Sequence, residues 1–166
     1  MSRDESRPDD RPRPAVTTKR RLPMRRGRLF ELWTDPVHLA KRWGPVGWRV
    51  TRCEIDLRPS GRWHTWLLTS RDEERSIGGQ YLEIAPPERL VFTWEFPTDV
   101  PDGEPQVTVV TVTFLEDGDA TLLQVSHQKL TSGQAVDMDV GWSSALDALD
   151  QYIKVWVWIP SMKGER

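Results

Sequence analysis

Three histidines and one cysteine are the side chains of this 166-residue chain that could most readily support acid–base, nucleophilic or metal chemistry. His38, His64 and His127 are scattered among unlike segments, and Cys53 is the single cysteine. Zinc sites need closely spaced Cys and His ligands, and a hydrolase serine sits in a Gly-x-Ser-x-Gly turn. The sequence has neither pattern, so it predicts no metal site and no cofactor.

Acid–base catalysis has three candidates on predicted strands, namely His64, Glu95 and His127. A strand histidine that faces a cavity could act as a general base, with a carboxylate such as Glu95 orienting its ring. The alternative is a histidine that is exposed or hydrogen-bonded for structural reasons. The sequence favours this alternative, because no catalytic constellation accompanies the three residues.

Nine tryptophans are the unusual feature of the composition. An internal indole buries about 150–250 Å², so nine of them in a small domain either form a bulky core or line a cavity. Small-molecule sites are commonly aromatic-lined cavities with a few polar groups. The candidate ligand-binding residues are Trp43, Trp48, Cys53, Trp63, Trp66, Tyr81, Phe92, Trp94 and Trp142.

Two of these tryptophans flank a turn in the segment RWGPVGW, residues 42–48. Gly and Pro favour turns, and an indole is costly to leave in water. The two rings therefore either form the lid of a cavity or plug one end of a filled core. The sequence leaves both alternatives open.

The elements that must position these residues begin with two short helices, Arg28–Thr34 and Pro36–Arg42. Asp35 is a natural N-cap for the second helix, and Pro36 fits its first position. Period-two alternation between turn signals then predicts strands. With an initial strand at Ala15–Leu22, they are Trp48–Leu57, Arg62–Ser70, Ser76–Ile84, Arg89–Phe96, Gln106–Leu115 and Thr121–Lys129.

A stripe of apolar residues at steps of three and four predicts a long helix from about Gly133 to Trp156 or Trp158. Short connections between the strands favour antiparallel pairing of consecutive strands. The order of strand, two short helices, six strands and one long helix predicts an α+β domain. In it, a curved seven-stranded sheet wraps the C-terminal helix.

The composition predicts where this domain begins and ends. Residues 1–14 are polar, charged or proline and predict a disordered tail, followed by one domain over residues 15–158 and a short tail at residues 159–166. No segment resembles a signal peptide or a membrane span. A single cysteine excludes an internal disulfide and fits a reducing compartment, so the expected location is the cytoplasm.

Positive charge is concentrated near the N-terminus. Residues 1–28 hold ten Lys and Arg against four Asp and Glu, with six basic residues in Lys19–Arg28. Such a concentration of basic residues is typical of an arm that binds nucleic acid, but no recognition motif accompanies the cluster. The sequence favours a solvated strand end and helix start beside an acidic body, and nucleic acid is not an expected partner.

Four segments resemble a known family in the same order and spacing: LWTDPVHLAKRWGPVGW, CEIDLRPSGRW, GGQYLEIAPPERLVFTWEF and GWSSALDALDQYI. Over roughly residues 15–154 the chain resembles the Hsp90 ATPase activator homologue 1-like (AHSA1-like) branch of the START/Bet v 1 (SRPBCC) superfamily. The resemblance implies a helix-grip fold, in which a seven-stranded antiparallel sheet grips the C-terminal helix around a cavity. It also implies that the 42–48 turn closes one end of that cavity.

Two departures from the family pattern concern local structure. An Ala-Pro-type start to the first helix is usual, whereas this chain reads Leu22-Pro23-Met24-Arg25-Arg26-Gly27, which blurs the junction. The usual Gly-Gly after the second strand is Ser60-Gly61. We expect the hairpin to survive, because one glycine can supply the position of positive φ.

The function that the resemblance and the tryptophans favour is a binding domain for a hydrophobic, aromatic or lipid-like small molecule. One alternative is a small enzyme of the cyclase or hydrolase type that uses polar cavity residues. Another is a protein-interaction module that acts on Hsp90, as the family name implies. Family members often pair, so a homodimer is a possible assembly.

Overall fold

The computed structural model describes residues 15–98 and 102–158. The predicted tails, residues 1–14 and 159–166, lie outside the described residues. The elements are β1 Val16–Leu22, α1 Arg26–Thr34, α2 Pro36–Arg42, β2 Arg49–Ile55, β3 Arg62–Leu68, β4 Glu74–Ala85, β5 Arg89–Phe96, β6 Gln106–Asp117, β7 Ala120–Gln128 and α3 Ser132–Trp158.

The seven strands form one antiparallel sheet in the order β1-β7-β6-β5-β4-β3-β2. Strands β2 to β7 pair consecutively, as their short connections require, and β1 pairs with β7 along its whole length. Helix α3 packs on the sheet through buried residues such as Leu146, Leu149 and Ile153. The predicted α+β helix-grip architecture is confirmed.

Strand β4 is longer than the sequence predicted. It begins at Glu74 rather than Ser76, because Glu74 and Arg75 pair with the end of β3. In the sequence the charged segment Arg71–Arg75 is a turn signal. Cross-strand hydrogen bonding therefore overrides their polar character at this edge.

Asp35 begins α2 as predicted. Its side chain accepts a hydrogen bond of 2.8 Å from the backbone N–H of Val37, and Pro36 occupies the first turn. The cap satisfies one of the N–H groups that a helix start leaves without an intrahelical partner. It thereby fixes the direction in which α2 leads into the 42–48 turn.

Removing this cap should destabilise the protein measurably. We expect Asp35→Ala to lower the free energy of unfolding by about 1 kcal/mol, as measured by urea denaturation. Asp35→Asn keeps an acceptor oxygen in place and should retain most of that stability. An alanine variant as stable as the parent would show that the cap contributes nothing.

The Ser60-Gly61 turn differs from the sequence-based expectation. The residue with positive φ is Ser60, at 67°, and not Gly61. Gly61 is required for a different reason, since a Cβ there would lie 2.0 Å from the Asp56 carbonyl oxygen. The serine therefore adopts the left-handed conformation, and the glycine allows the close approach of two backbone segments.

Candidate functional site

Five indoles meet in the space between the sheet and α3. Trp33 and Trp43 come from the α1–α2 region, Trp63 and Trp94 from the sheet, and Trp142 from α3. The ring centroid of Trp142 lies 5.6 Å from that of Trp94 and 5.8 Å from that of Trp43. Every pair in contact lies within the 4.5–7 Å range of favourable aromatic packing.

These rings fill most of the interior. The void enclosed at the centre has a volume of about 10 Å³ and is bounded by Trp33, Leu39, Trp43, Trp63, Tyr81, Leu90 and Phe92. That volume holds about one water molecule. This part of the protein is a packed aromatic core with no room for an organic ligand.

A larger apolar pocket of about 100 Å³ lies beneath the 42–48 turn. It is lined by Trp43, Gly44, Pro45, Trp48, Ile77, Trp94, Met138, Gly141, Trp142 and Ala145. The turn is tied to α3 by a hydrogen bond of 3.0 Å from the Val46 N–H to the Ser144 hydroxyl. The pocket is therefore bounded by the turn, the sheet and the first half of α3.

The two tryptophans of RWGPVGW thus have different places. Trp43 is only 6% exposed and packs within the indole cluster, whereas Trp48 is half-buried and forms part of the wall of the apolar pocket. Gly44 and Gly47 have φ values of 94° and 89°, which side-chain-bearing residues rarely adopt. The turn contributes one ring to the plug and one ring to the wall.

The remaining sequence-predicted binding residues divide into three groups. Trp63, Tyr81 and Phe92 surround the small central void. Cys53 packs against the edge of the core but borders neither cavity, and burial raises the pKa of its thiol to about 11. Trp66 lies outside the interior, because its neighbours Thr65 and Leu67 take the inward positions of β3.

Trp66 belongs to the outer face of the sheet. Its ring stacks on His64 with a centroid separation of 4.1 Å, and the Arg52 guanidinium lies 4.7 Å from its centroid. His64 also hydrogen-bonds through Nε2 to the Ser76 hydroxyl. The structure therefore places Trp66 and His64 together, but away from the cavity.

Glu95 is likewise remote from the cavity. Its carboxylate forms a forked ion pair with Arg62, with oxygen–nitrogen distances of 3.0 and 3.2 Å. A carboxylate held in this way cannot orient the ring of His127. The three acid–base candidates do not form one site.

His127 is fully buried at the foot of the indole cluster. Its Nδ1 lies 3.1 Å from Trp142 Nε1, and its Nε2 lies 2.7 Å from the Thr108 hydroxyl. An indole N–H can only donate, so Nδ1 accepts and the ring proton resides on Nε2. The Nε2–H donates to Thr108, whose hydroxyl donates to the carbonyl oxygen of Trp94 at 2.9 Å.

This chain of three hydrogen bonds uses both ring nitrogens of His127. Burial lowers the pKa of the imidazole to about 4, so the ring is neutral at neutral pH. A general base needs an unoccupied nitrogen within reach of a substrate proton, and Nδ1 is taken by Trp142. The arrangement supports a structural role for His127.

Arg42 is a buried charge that sequence reasoning missed. It is only 4% exposed, and its Nε and Nη2 donate to the carbonyl oxygen of Leu32 at 3.1 and 3.0 Å. In a continuous helix that carbonyl would accept from residue 36, but Pro36 has no N–H. The signal in the sequence is the spacing of Leu32 and Pro36. A proline four residues after a helical residue leaves the carbonyl of that residue without its usual N–H donor.

The basic N-terminal cluster is paired with carboxylates from the β6–β7 hairpin, the β4–β5 turn, α1 and α3. The ion pairs are Arg20–Asp147, Arg21–Asp117, Arg25–Asp119, Arg26–Glu88, Arg26–Glu116 and Arg28–Glu31. Exposed pairs of this kind contribute little stability individually. They do neutralise part of the positive charge of the cluster locally.

The described residues offer neither a metal site nor a membrane-spanning helix. Across residues 15–98 and 102–158, no three His, Cys, Asp or Glu side chains lie close enough together to hold a metal ion. No helix in the same part of the chain combines the length and apolar character needed to cross a bilayer.

Comparison with known proteins identifies relatives of this fold. Among solved structures, the AHSA1 protein of Silicibacter pomeroyi superposes with a TM-score of 0.74 and 23% identity, over 86% of this chain and 99% of that one. A protein of Nitrosomonas europaea superposes with a TM-score of 0.72 and 22% identity, over 84% and 94%. No curated protein matches the sequence.

A solution structure of an Arthrobacter aurescens protein is similar, with a TM-score of 0.73 and 20% identity over 84% of this chain and 86% of that one. At these identities the likeness concerns the fold. The sequence itself matches the family described as activator of Hsp90 ATPase homolog 1-like protein over residues 23–154, which is most of the chain. The chain therefore belongs to the activator of Hsp90 ATPase homolog 1-like family.

Proposed function

We propose that this protein is a cytoplasmic binding domain that holds a small apolar molecule between the sheet and α3. The observation that carries the proposal is the 100 Å³ pocket beneath the 42–48 turn, whose wall is formed by indole, aliphatic and glycine surfaces. A pocket of this composition gains free energy by excluding water from apolar surface. No charged residue is among the described residues that line it.

The volume limits the ligand. An apolar cavity of about 150 Å³ in another protein accommodates benzene, so a pocket of about 100 Å³ takes at most one small ring or a short alkyl segment. A steroid or a flavonoid would need displacement of the turn, which one hydrogen bond to Ser144 ties to α3. The proposed ligand class is therefore a single-ring aromatic or the apolar end of a longer molecule.

Thermal shift against benzene, toluene and ethylbenzene tests the proposal directly. A ligand present at about one hundred times its Kd stabilises the folded state by about 2.7 kcal/mol, which raises the Tm of a domain this size by several degrees. Quenching of tryptophan fluorescence is the second measurement, because Trp48, Trp94 and Trp142 line the pocket.

A variant that fills the pocket gives the sharpest test. We expect Gly141→Leu to remove binding while the protein stays folded, because a Cβ at Gly141 would meet only the Met138 methyl group, at 4.0 Å. Leucine also favours a helix more than glycine does. Gly141→Ala is the matched control, since it makes the same helix correction but leaves most of the volume.

Binding by the alanine variant and not by the leucine variant would support the proposal. Equal binding by the parent protein and Gly141→Leu would place the ligand elsewhere. No shift with any of the three probes would contradict a small-ring site under the turn.

Action on Hsp90 is a second candidate, supported by the family match over residues 23–154. Its test is the ATPase rate of purified Hsp90 with and without this protein. Stimulation that persists in Gly141→Leu would separate this activity from occupancy of the apolar pocket. An unchanged ATPase rate would exclude this second role.

A further inference from the structure

A second and larger depression borders the same turn further along α3. It has a volume of about 350 Å³ and lies between the turn, the start of β2 and the C-terminal half of α3, including Gln151 and Val155. We call it the Arg42 groove. Three cationic residues line it, Lys41, Arg42 and Arg49, and no Asp or Glu is among its described lining residues.

Only one edge of the planar Arg42 guanidinium is hydrogen-bonded within the fold. Its Nε and Nη2 both donate to the Leu32 carbonyl oxygen, which occupies one edge of the planar group. Its face lies over the Trp33 ring at 4.4 Å. Within the described part of the chain, no hydrogen bond or ion pair involves Nη1. One edge of a side chain that is 96% buried therefore lacks a partner.

The charge of Arg42 has no counter-ion among the described residues. Burial lowers its pKa to about 9, and the ionisable groups that act on it are the Tyr152 hydroxyl and the Cys53 thiol. It therefore stays protonated at neutral pH without a carboxylate beside it. Of the other two cations, Arg49 lies 3.6 Å from Asp72. A buried cation is stabilised when it is paired.

We propose that the Arg42 groove binds a small organic carboxylate, whose two oxygens pair with the unused edge of the Arg42 guanidinium. Arginine binds carboxylates through two parallel N–H···O bonds, which a planar edge offers without rearrangement. The apolar body of the ligand lies along Trp48 and Val155, which share the groove. The groove shares Trp43, Gly44, Pro45 and Trp48 with the apolar pocket but adds the cationic residues that the pocket's described lining does not include. The inference does not depend on the proposed function.

A matched pair of probes tests the charge requirement. The acid is 4-phenylbutyrate and the neutral control is 4-phenylbutyramide, which differ only in the head group. Titrations by calorimetry use the Gly141→Leu protein, in which the apolar pocket is filled. We expect the acid to bind at least ten-fold more tightly than the amide, and increasing salt to reduce that difference.

A competing carboxylate built into the groove identifies the site. Gln151 is exposed and lines the groove, so Gln151→Glu should add a competing carboxylate to it and abolish the preference for 4-phenylbutyrate. Ser143→Glu makes the same change of charge at an exposed position of α3 outside the groove and should keep the preference. Neither substitution removes a core contact, so both variants are expected to fold.

The side-chain Nε–H resonance of Arg42 gives a readout independent of affinity. We expect 4-phenylbutyrate to shift this resonance and 4-phenylbutyramide to leave it unchanged. Equal affinities for the two probes, a preference that survives in Gln151→Glu, or an unshifted resonance would each overturn the proposal. Binding of benzene or toluene by the parent protein would be unaffected by such a result, so the two sites are tested separately.

Discussion

Replacing Trp142 with alanine is expected to lower the free energy of unfolding by about 3–5 kcal/mol, which is the range for an indole or phenyl ring removed from a core. Trp142 is only 4% exposed, and its ring contacts Trp33, Trp43 and Trp94. Its loss would also leave Nδ1 of His127 without a donor. Urea unfolding, followed by circular dichroism, measures the change.

Trp66 provides the matched control, because it is an indole of the same size on the opposite face of the sheet. Its half-buried ring stacks on the half-buried His64 ring and contacts the Arg52 guanidinium. We expect Trp66→Ala to cost about 1 kcal/mol or less, the scale of an exposed cation–π contact. Similar losses for the two variants would contradict the packing described for the interior.

The contrast between Trp142 and Trp66 also shows how far the sequence could predict the site. Helical periodicity places Trp142 on the apolar stripe of α3, and the structure buries it there. Alternation along β3 separates Trp63 from His64, but both of its faces carry an indole. Because the pattern is apolar on both sides, it could not decide which ring enters the core.

The fold was more predictable than the site, because its signals are local. Asp35 with Pro36 marks a helix start, and Asp117-Gly118 marks a hairpin, with Gly118 at a φ of 59°. Each of these two signals consists of residues that are adjacent in the sequence. Cavity volume depends instead on how rings from five separate elements pack, so the choice between a plug and a pocket needed the structure.

The roles of the titratable and charged residues were the hardest feature to predict from the sequence. His127 became a candidate base because its residue type permits proton transfer, whereas its partners Thr108 and Trp142 are 19 and 15 residues away. Arg42 looked like one more basic residue, although Pro36 leaves the Leu32 carbonyl for it to bind. A titratable side chain acquires its role from its long-range contacts, and residue type alone cannot supply them.

The partners of His127 lead to a prediction about acid stability. An unfolded chain takes up a proton on this ring near the ordinary pKa of 6.5, whereas the folded protein does so only near pH 4. Between these values unfolding takes up a proton, so the contribution of this group to stability is complete above about pH 6.5 and falls as the pH falls. At about 1.4 kcal/mol per pH unit, the loss reaches about 3 kcal/mol by pH 4.

The measurement is the free energy of unfolding from urea titrations between pH 7 and pH 4, for the parent protein and for His127→Gln. The variant should be less stable at pH 7, since glutamine cannot reproduce both hydrogen bonds, and should lose less stability on acidification. His64→Gln, on the exposed face, should follow the parent profile. Each variant differs from the parent protein at one position only, so the difference between the profiles of the parent and His127→Gln isolates His127. Parallel profiles for the parent and His127→Gln would show that the buried ring accepts a proton as readily in the folded state as in the unfolded chain, which is incompatible with the chain of hydrogen bonds from Trp142 to Trp94.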